Sequence, residues 1–248
     1  MLATTPSSLR ETQPILFSQL ANFIEMSWES YFDLYPYDIP EGLGYVEGSL
    51  DGEKLIIENR CYQTYQFRKL HLELAKVGNG LNILHCVMFP RPNYPLPIFG
   101  VDLVGTQAGI GAAIVDLSPI NSQRTLSNSY RNVLANLPDV KFSQPRELPS
   151  WGDIFSEFCI FIRPVDSREE MLFFEQVEHF FTLHCQIALS TSPVVSPFQL
   201  AEILAGQHNY CTKQQQNDKT RRVLEKSLGQ AWTDRYLTSM LFDSPHAV

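Results

Sequence analysis

Two glycine-containing turns divide the first half of the chain into pairs of strands, and this constrains the fold more than any other feature. Asp51-Gly52 and Gly78-Asn79-Gly80 each separate two runs of alternating apolar residues, the pattern of a tight β-hairpin. The predicted strand pairs are 44–50 with 54–63 and 65–76 with 81–89. Because consecutive hairpins form antiparallel pairs, the chain is expected to be built on an antiparallel sheet.

Helical patterns flank these strands in separate blocks. Apolar residues spaced by three and four predict helices over 12–32, 126–137, 171–189, 197–216, 220–228 and 230–241. Further strands are predicted over 98–104, 111–117 and 156–163. Ser167 and Glu170 fit a capping box at the start of the third helix. Alternating β-α-β units are absent, so we predict an α+β fold, a three-layer α/β/α sandwich in a single domain over residues 1–248.

Charge and cysteine content exclude several classes of function. The net charge of −8 disfavours nucleic acid as the main partner. The five cysteines are widely spaced and include no Cys-x-x-Cys pair, which argues against a disulfide framework or a bound metal. No apolar run approaches the length of about 18 residues that a spanning helix needs. We therefore expect a protein of a reducing cytoplasm that neither crosses a membrane nor carries a metal.

Four polar residues interrupt the apolar strands. His71 and Glu73 alternate with leucines, so they share one face of their strand. His85 and Asp102 each lie within an otherwise apolar run. A buried carboxylate is costly unless it is paired, hydrogen-bonded or protonated.

The length of the second turn decides which of these residues face each other. If only Asn79-Gly80 forms the turn, Glu73 lies opposite Cys86. If the loop is Gly78-Asn79-Gly80, Glu73 lies opposite His85 on the same face. We favour the three-residue loop because it gathers the polar groups.

Such a cluster is suited to acid–base chemistry, because carboxyl and imidazole groups in an apolar pocket have shifted pKa values. A structural interpretation stands beside it: a strand histidine is often only a hydrogen-bonded core residue, and His71 and Glu73 could face water. The sequence contains no nucleotide-binding fingerprint and no hydrolase nucleophile motif.

Five segments resemble the ferredoxin-dependent bilin reductases, and the resemblance runs from about residue 16 to residue 242. They are HLELAKVGNGLNILHCVMFP, LPIFGVDLV, AAIVDLSP, RELPSWGDIFSEFCIFIRP and QQQNDKTRRVLEKSLGQAW. The resemblance implies four-electron reduction of biliverdin IXα to phycocyanobilin through bound radical intermediates. It implies that 2Fe–2S ferredoxin supplies the electrons, and that the enzyme is a cytoplasmic cyanobacterial monomer without a metal or flavin of its own.

The same resemblance implies roles for individual residues. Glu73 matches the glutamate beside the D-ring vinyl group of the pigment. His85 and Asp102 match the histidine and aspartate that contact the lactam oxygens and the central region of the pigment, which makes them the candidate proton donors. His71 matches a second histidine, linked to His85 by hydrogen bonding either directly or through water. The propionates of the pigment are expected to be held by basic residues, Arg146 and Lys219, with Asn217 nearby.

Two alternative functions and the position of the ferredoxin-docking surface stay open. A relative that stops after two electrons, or a non-catalytic bilin carrier, would share much of this pattern. Ferredoxins are acidic, so docking needs a local positive patch on an acidic chain. The candidates are Arg68, Lys69, Arg91, Lys213, Lys219, Arg221 and Arg222.

Overall fold

Both predicted hairpins are present and lie side by side in one antiparallel sheet. The computed structural model describes residues 9–245. The first hairpin joins β2 (Tyr45–Leu50) to β3 (Glu53–Gln63), and the second joins β4 (Phe67–Val77) to β5 (Leu81–Pro90). Asp51 and Gly52 both adopt positive φ, 54° and 85°, as a two-residue hairpin turn of this hand requires.

Four more strands complete a sheet of eight. They are β1 (Tyr35–Pro36), β6 (Ile98–Thr106), β7 (Gly109–Ser118) and β8 (Ile160–Ile162). The order across the sheet is β1-β3-β4-β5-β6-β7-β8, and β2 pairs with the other end of β3. The two strands at the centre of this order, β4 and β5, therefore have a neighbour on each side and are buried.

Helices cover both faces of the sheet. The first face carries α1 (Ile15–Tyr31), α2 (Asn128–Leu134) and α3 (Ser167–Ser190). The second face carries α4 (Pro197–Gln214), α5 (Asp218–Leu228), α6 (Gln230–Tyr236) and a π-helical segment, Leu237–Leu241. A short 3₁₀ turn lies at Gly152–Ile154. This arrangement confirms the predicted α+β sandwich of three layers.

The alternation along β4 assigns its side chains to the two layers. Leu70, Leu72 and Leu74 pack into the first layer with α1 and α3. His71 and Glu73 point to the second layer, where they are 0% and 7% exposed. The interpretation in which these two residues face water is therefore wrong, because the C-terminal helices cover this face of the sheet.

The last strand is shorter than the pattern predicts. Only Ile160–Ile162 pairs with β7, because Ser156 is held away from the ladder by a buried carboxylate. Asp116 accepts hydrogen bonds from the Ser156 hydroxyl at 2.6 Å and from its amide at 3.1 Å. A turn from Ser156 to Cys159 follows. Burial raises the pKa of Asp116 to about 6 despite these bonds.

The start of α3 is capped by a residue other than the predicted one. Asp166 is the N-cap, and its carboxylate accepts a hydrogen bond from the Glu169 amide at 2.9 Å. Ser167 is already the first helical residue. The capping box at Ser167 and Glu170 was one residue out of register, since aspartate caps a helix as well as serine does.

One glycine determines how closely α4 approaches the sheet. A Cβ placed on Gly206 would overlap the backbone carbonyl of Ile120, which cannot move aside as a flexible side chain can. We expect Gly206→Ala to destabilise the fold by about 2 kcal/mol, although alanine normally stabilises a helix relative to glycine. Urea unfolding measures this change.

Gly44→Ala is the matched control, because its Cβ would meet no atom closer than 3.7 Å. It should leave the free energy of unfolding within about 0.5 kcal/mol of the parent protein. Equal stability of the two variants would contradict the close approach at Gly206.

Candidate active site

The pairing of three central strands places three acid–base residues in a row. Val77 pairs with Leu81, so the turn contains three residues, and Glu73 lies directly opposite His85. His85 in turn lies opposite Asp102 on β6. The register with Glu73 opposite His85 is therefore confirmed, and the register with Glu73 opposite Cys86 is excluded.

His85 and Asp102 form a hydrogen-bonded pair. The Nδ1 atom of His85 lies 2.5 Å from Oδ1 of Asp102. Burial alone would lower the pKa of His85, but the charge and hydrogen bond of Asp102 raise it, and the net result lies above the ordinary histidine value. The Asp102 side chain is 42% exposed and that of His85 is 11% exposed. The raised pKa favours the protonated imidazole to a higher pH than in an exposed histidine, and the pair is open to solvent on the Asp102 side.

Glu73 is buried and held by a tyrosine from the C-terminal layer. The Tyr236 hydroxyl donates to its Oε2 atom at 2.5 Å. Burial raises the pKa of Glu73, and the charge of His85 and the tyrosine hydrogen bond offset this only in part. A carboxyl group in this setting keeps its proton to a higher pH than an exposed one and can deliver it to a bound molecule.

Asn59 joins the tyrosine to His71. Its Nδ2 atom donates to the carbonyl of Leu43 at 2.7 Å, and a carbonyl can only accept, which fixes the orientation of the amide. Its Oδ1 atom lies 2.7 Å from Nε2 of His71, so that nitrogen carries the proton. The pKa of His71 is lowered by burial first and then by the charges of Lys69 and His85. His71 is accordingly neutral.

The rings of His71 and His85 pack edge to face. Their centroids lie 5.8 Å apart and the ring planes are nearly perpendicular. Nδ1 of His71 and Nε2 of His85 are buried, and neither makes a hydrogen bond within residues 9–245. A direct hydrogen bond between the rings is therefore absent from this part of the chain.

A buried ion pair attaches the C-terminal segment to β4 beside the row of Glu73, His85 and Asp102. Lys69 is wholly buried, and its ammonium group bonds to Asp243 and to the carbonyl of Met240. Arg68 binds the other oxygen of Asp243 at 2.5 Å. Phe242, next to Asp243 in the chain, packs edge-on against His85 with ring centroids 5.6 Å apart. Since an unpaired buried charge costs roughly 3–5 kcal/mol, the pair holds the C-terminal segment on the sheet.

The three predicted propionate-binding residues lie away from the row. Arg146 is exposed and donates to the carbonyl of Gly111 at 2.5 Å. Asn217 caps α5, with its Oδ1 accepting from the amides of Lys219 and Thr220. Lys219 is exposed on the first turn of that helix. In the part of the chain that the structure describes, no hydrogen bond or ion pair joins these three residues to Glu73, His85 or Asp102.

The sequence interpretation missed Asn59 and Tyr236. Asn59 did carry a signal, because it continues the inward-facing alternation of Leu55 and Ile57 along β3. Tyr236 carried none, since it is 163 residues from its partner Glu73. A cavity of about 480 Å³ lies between α4 and residues 119–124, and its lining does not include Glu73, His85 or Asp102.

The described residues offer neither a metal site nor a membrane-spanning helix. Within residues 9–245, no group of three or more histidine, cysteine, aspartate or glutamate side chains could hold a metal ion. No helix of that region is long and apolar enough to cross a membrane.

Comparison with known proteins identifies the family. Residues 21–243 match the model of the ferredoxin-dependent bilin reductases. The chain is 58% identical to the phycocyanobilin:ferredoxin oxidoreductase of Trichodesmium erythraeum, covering 99% of this chain and 100% of the relative. It is 52% identical to the enzyme of that name from Synechococcus elongatus, covering 99% of each.

A solved structure shares the fold at much lower identity. Tomato phytochromobilin synthase in complex with biliverdin superposes with a TM-score of 0.78 at 18% identity, over 92% of this chain and 83% of that one. The family model and both relatives span nearly the whole chain, so this chain belongs to the ferredoxin-dependent bilin reductase family.

Proposed function

We propose that this chain catalyses the ferredoxin-dependent four-electron reduction of biliverdin IXα to phycocyanobilin. Its relatives at 58% and 52% identity bear the name of that activity. The observation that carries the proposal is the row of Glu73, His85 and Asp102, which sets two different proton donors side by side on one buried face.

The overall reaction adds four electrons and four protons to the pigment, and the site supplies protons in two ways. The hydrogen-bonded pair of His85 and Asp102 holds one acidic proton, gives it to the central region or a lactam oxygen of the bound bilin, and regains a proton from solvent on the exposed Asp102 side before the next transfer. Glu73 gives a proton at the D-ring vinyl group. Because neighbouring groups hold the two donors in different environments, each proton goes to a defined atom.

Electrons come from the 2Fe–2S cluster of ferredoxin, one at a time, so the bound pigment passes through radical states. We propose that the chain works without a cofactor of its own, as a cytoplasmic monomer. Both helical layers pack on the same sheet, which supports a single bilin reductase domain over residues 1–248.

The propionates are proposed to bind Arg146 and Lys219. The Nη1 atom of Arg146 bonds to Gly111, and the guanidinium group has further donors for a carboxylate. Asn217 helps propionate binding indirectly, because it caps α5 and so fixes the first turn of the helix, which carries Lys219.

Anaerobic turnover with biliverdin and reduced ferredoxin tests the proposal, with products separated against bilin standards. We expect phycocyanobilin. A two-electron bilin as the end product would place the chain in another branch of the family. Tight binding without reduction, with an active ferredoxin supply, would make it a carrier.

Replacing Glu73 tests the division of labour between the donors. Glu73→Gln keeps the size and a hydrogen-bonding group but removes the acid proton. We expect loss of the D-ring proton delivery, so an incompletely reduced bilin accumulates in single-turnover chromatography. Glu175→Gln, on the exposed side of α3, is the control. Full conversion by Glu73→Gln would remove Glu73 from the mechanism.

The protonation of His85 is predicted to depend on Asp102. Since the carboxylate raises the pKa of His85, Asp102→Asn should lower it and reduce the imidazolium fraction at neutral pH. Histidine-labelled NMR titration of the ligand-free protein measures this, with His71 expected to stay neutral in both proteins. An unchanged His85 titration in the variant would contradict the pairing.

The structure narrows the surface on which ferredoxin could dock. Lys69 is wholly buried, so its inclusion in the candidate patch was wrong. Ion pairs neutralise three more candidates, Arg68, Lys213 and Arg221. Lys219 and Arg222, both exposed on α5, are left as the centre of the patch. Arg91 is half-buried and bonds to Thr64 and Gln63 at the end of β5.

We therefore expect the apparent ferredoxin KM to rise with ionic strength, since salt screens exposed charges. Arg222→Glu should raise that KM further at low salt. Lys141→Glu makes the same charge change in the loop on the α3 side and should have little effect. Salt-independent turnover, or equal effects of the two variants, would contradict docking at α5.

A further inference from the structure

The carboxyl group of Glu73 owes its position to a side chain from the opposite end of the chain. Tyr236 is fully buried at the end of α6, and its hydroxyl group meets Oε2 of Glu73 at 2.5 Å. Among residues 9–245, Tyr236 is the hydrogen-bond partner of the Glu73 side chain. The donor that serves the vinyl group is thus oriented by the helical layer and not by the sheet alone.

We propose that Tyr236 is the positioning residue of Glu73, and that Asn59 directs its hydroxyl proton, so that one hydrogen-bonded chain links Glu73 to His71. This deepens the proposed function, on which it rests for the role of Glu73. Tyr236 acts through Glu73 and is not a catalytic residue.

The direction of the proton follows from the geometry. The amide of Asn59 is anchored on Leu43, and its Nδ2 atom lies 2.9 Å from the Tyr236 oxygen. The hydroxyl group has one proton and two acceptors within reach, Oε2 of Glu73 at 2.5 Å and Oδ1 of Asn59 at 3.0 Å. The carboxyl oxygen is nearer, and hydrogen bonds to a carboxylate are stronger than those to an amide. Tyr236 therefore accepts from Asn59 and donates to Glu73.

The tyrosine is held by a stacked ring and by the backbone that follows it. It stacks on Trp232 with centroids 4.6 Å apart and an interplanar angle of 18°. The π-helical segment Leu237–Leu241 follows directly and is closed by the Phe242 amide on the Leu237 carbonyl at 3.0 Å. Single π-helical turns are rare in proteins, and those that do occur often lie at functional sites.

The end of that segment is tied to the same strand as its start. Asp243 is bound to Lys69, and Tyr236 is bound to Glu73, four residues further along the same face of β4. Two attachments to one strand hold the tyrosine hydroxyl in a single place. A phenol on an unanchored segment would not orient a carboxyl group in this way.

Other charged or titratable groups also influence Glu73, so a test must separate their effects from that of the tyrosine. His71 lies on its own strand, His85 faces it from β5, and Asp102 lies beyond on β6. Cys61 of β3 is near the tyrosine. Tyr236→Phe leaves all four of these groups in place and removes only the tyrosine hydroxyl, while the ring and its stacking on Trp232 are kept.

The matched control is Tyr130→Phe. Tyr130 is 1% exposed and its hydroxyl makes one buried hydrogen bond, 2.9 Å to Nδ1 of His184, in the layer on the other face of the sheet. Each variant loses one buried hydroxyl: Tyr236→Phe with its bonds to Glu73 and Asn59, and Tyr130→Phe with its bond to His184. Only a change found in Tyr236→Phe and absent from Tyr130→Phe reports on Glu73.

The first readout needs no turnover. In ligand-free protein labelled with ¹³C at the glutamate carboxyl carbon, with the signal assigned by Glu73→Gln, we expect Tyr236→Phe to raise the pKa of Glu73. The reason is that the lost hydrogen bond lowers it in the parent protein. The titration in Tyr130→Phe should match that of the parent.

The second readout is the product of a single turnover. Tyr236→Phe should slow the Glu73-dependent step at least about tenfold, the loss expected for a hydrogen bond to a charged group, and an incompletely reduced bilin should accumulate. Tyr130→Phe should give the parent product distribution. Matching behaviour of the two variants in both readouts would overturn the proposal.

A third protein guards against misfolding of Tyr236→Phe. Incorporating 3,5-difluorotyrosine at position 236 keeps the shape and makes the phenol a stronger donor, so the pKa of Glu73 should fall. A rise or no change would count against the proposal. If the parent protein makes no phycocyanobilin, the proposed function fails, while the ligand-free titrations still decide the role of Tyr236.

Discussion

The pairing of β4 with β5 is the constraint on which the site depends. The three-residue loop between Val77 and Leu81 sets the register, and this places Glu73 against His85. A slip of one residue would turn either side chain to the other layer, among the leucines under α1 and α3. His85 also lies opposite Asp102 on β6, so this register and the register of β5 with β6 together assemble the three acid–base groups.

Burial then gives these groups their chemistry. On a solvated face, a glutamate would be ionised and a histidine largely neutral at neutral pH. Under the C-terminal layer, desolvation raises the pKa of Glu73, while the carboxylate of Asp102 outweighs desolvation and raises that of His85. His71 has no such carboxylate and becomes neutral. Glu73, His85 and His71 lie close together on one face of the sheet, but they therefore differ in how readily each would give up a proton.

The C-terminal segment makes that burial possible. It is attached at Glu73 through Tyr236 and at Lys69 through Asp243, and it presses Phe242 against His85. The buried cation of Lys69 has a second effect, because its charge helps to lower the pKa of His71. The same residues thus hold the fold together and set the environment of Glu73 and His85, so changes to the ion pair should disturb both.

The sequence alone determined the antiparallel sheet, its two hairpins, the three layers and the candidates Glu73, His85, Asp102 and His71, because turn residues and the alternation of side chains are local signals. It also carried the family resemblance. The tertiary structure decided that Lys69 is buried, that Asn217 caps a helix, and that Tyr236 reaches Glu73 across 163 residues. Local patterns cannot encode these facts, since each depends on which distant helix packs over the sheet and how closely it approaches.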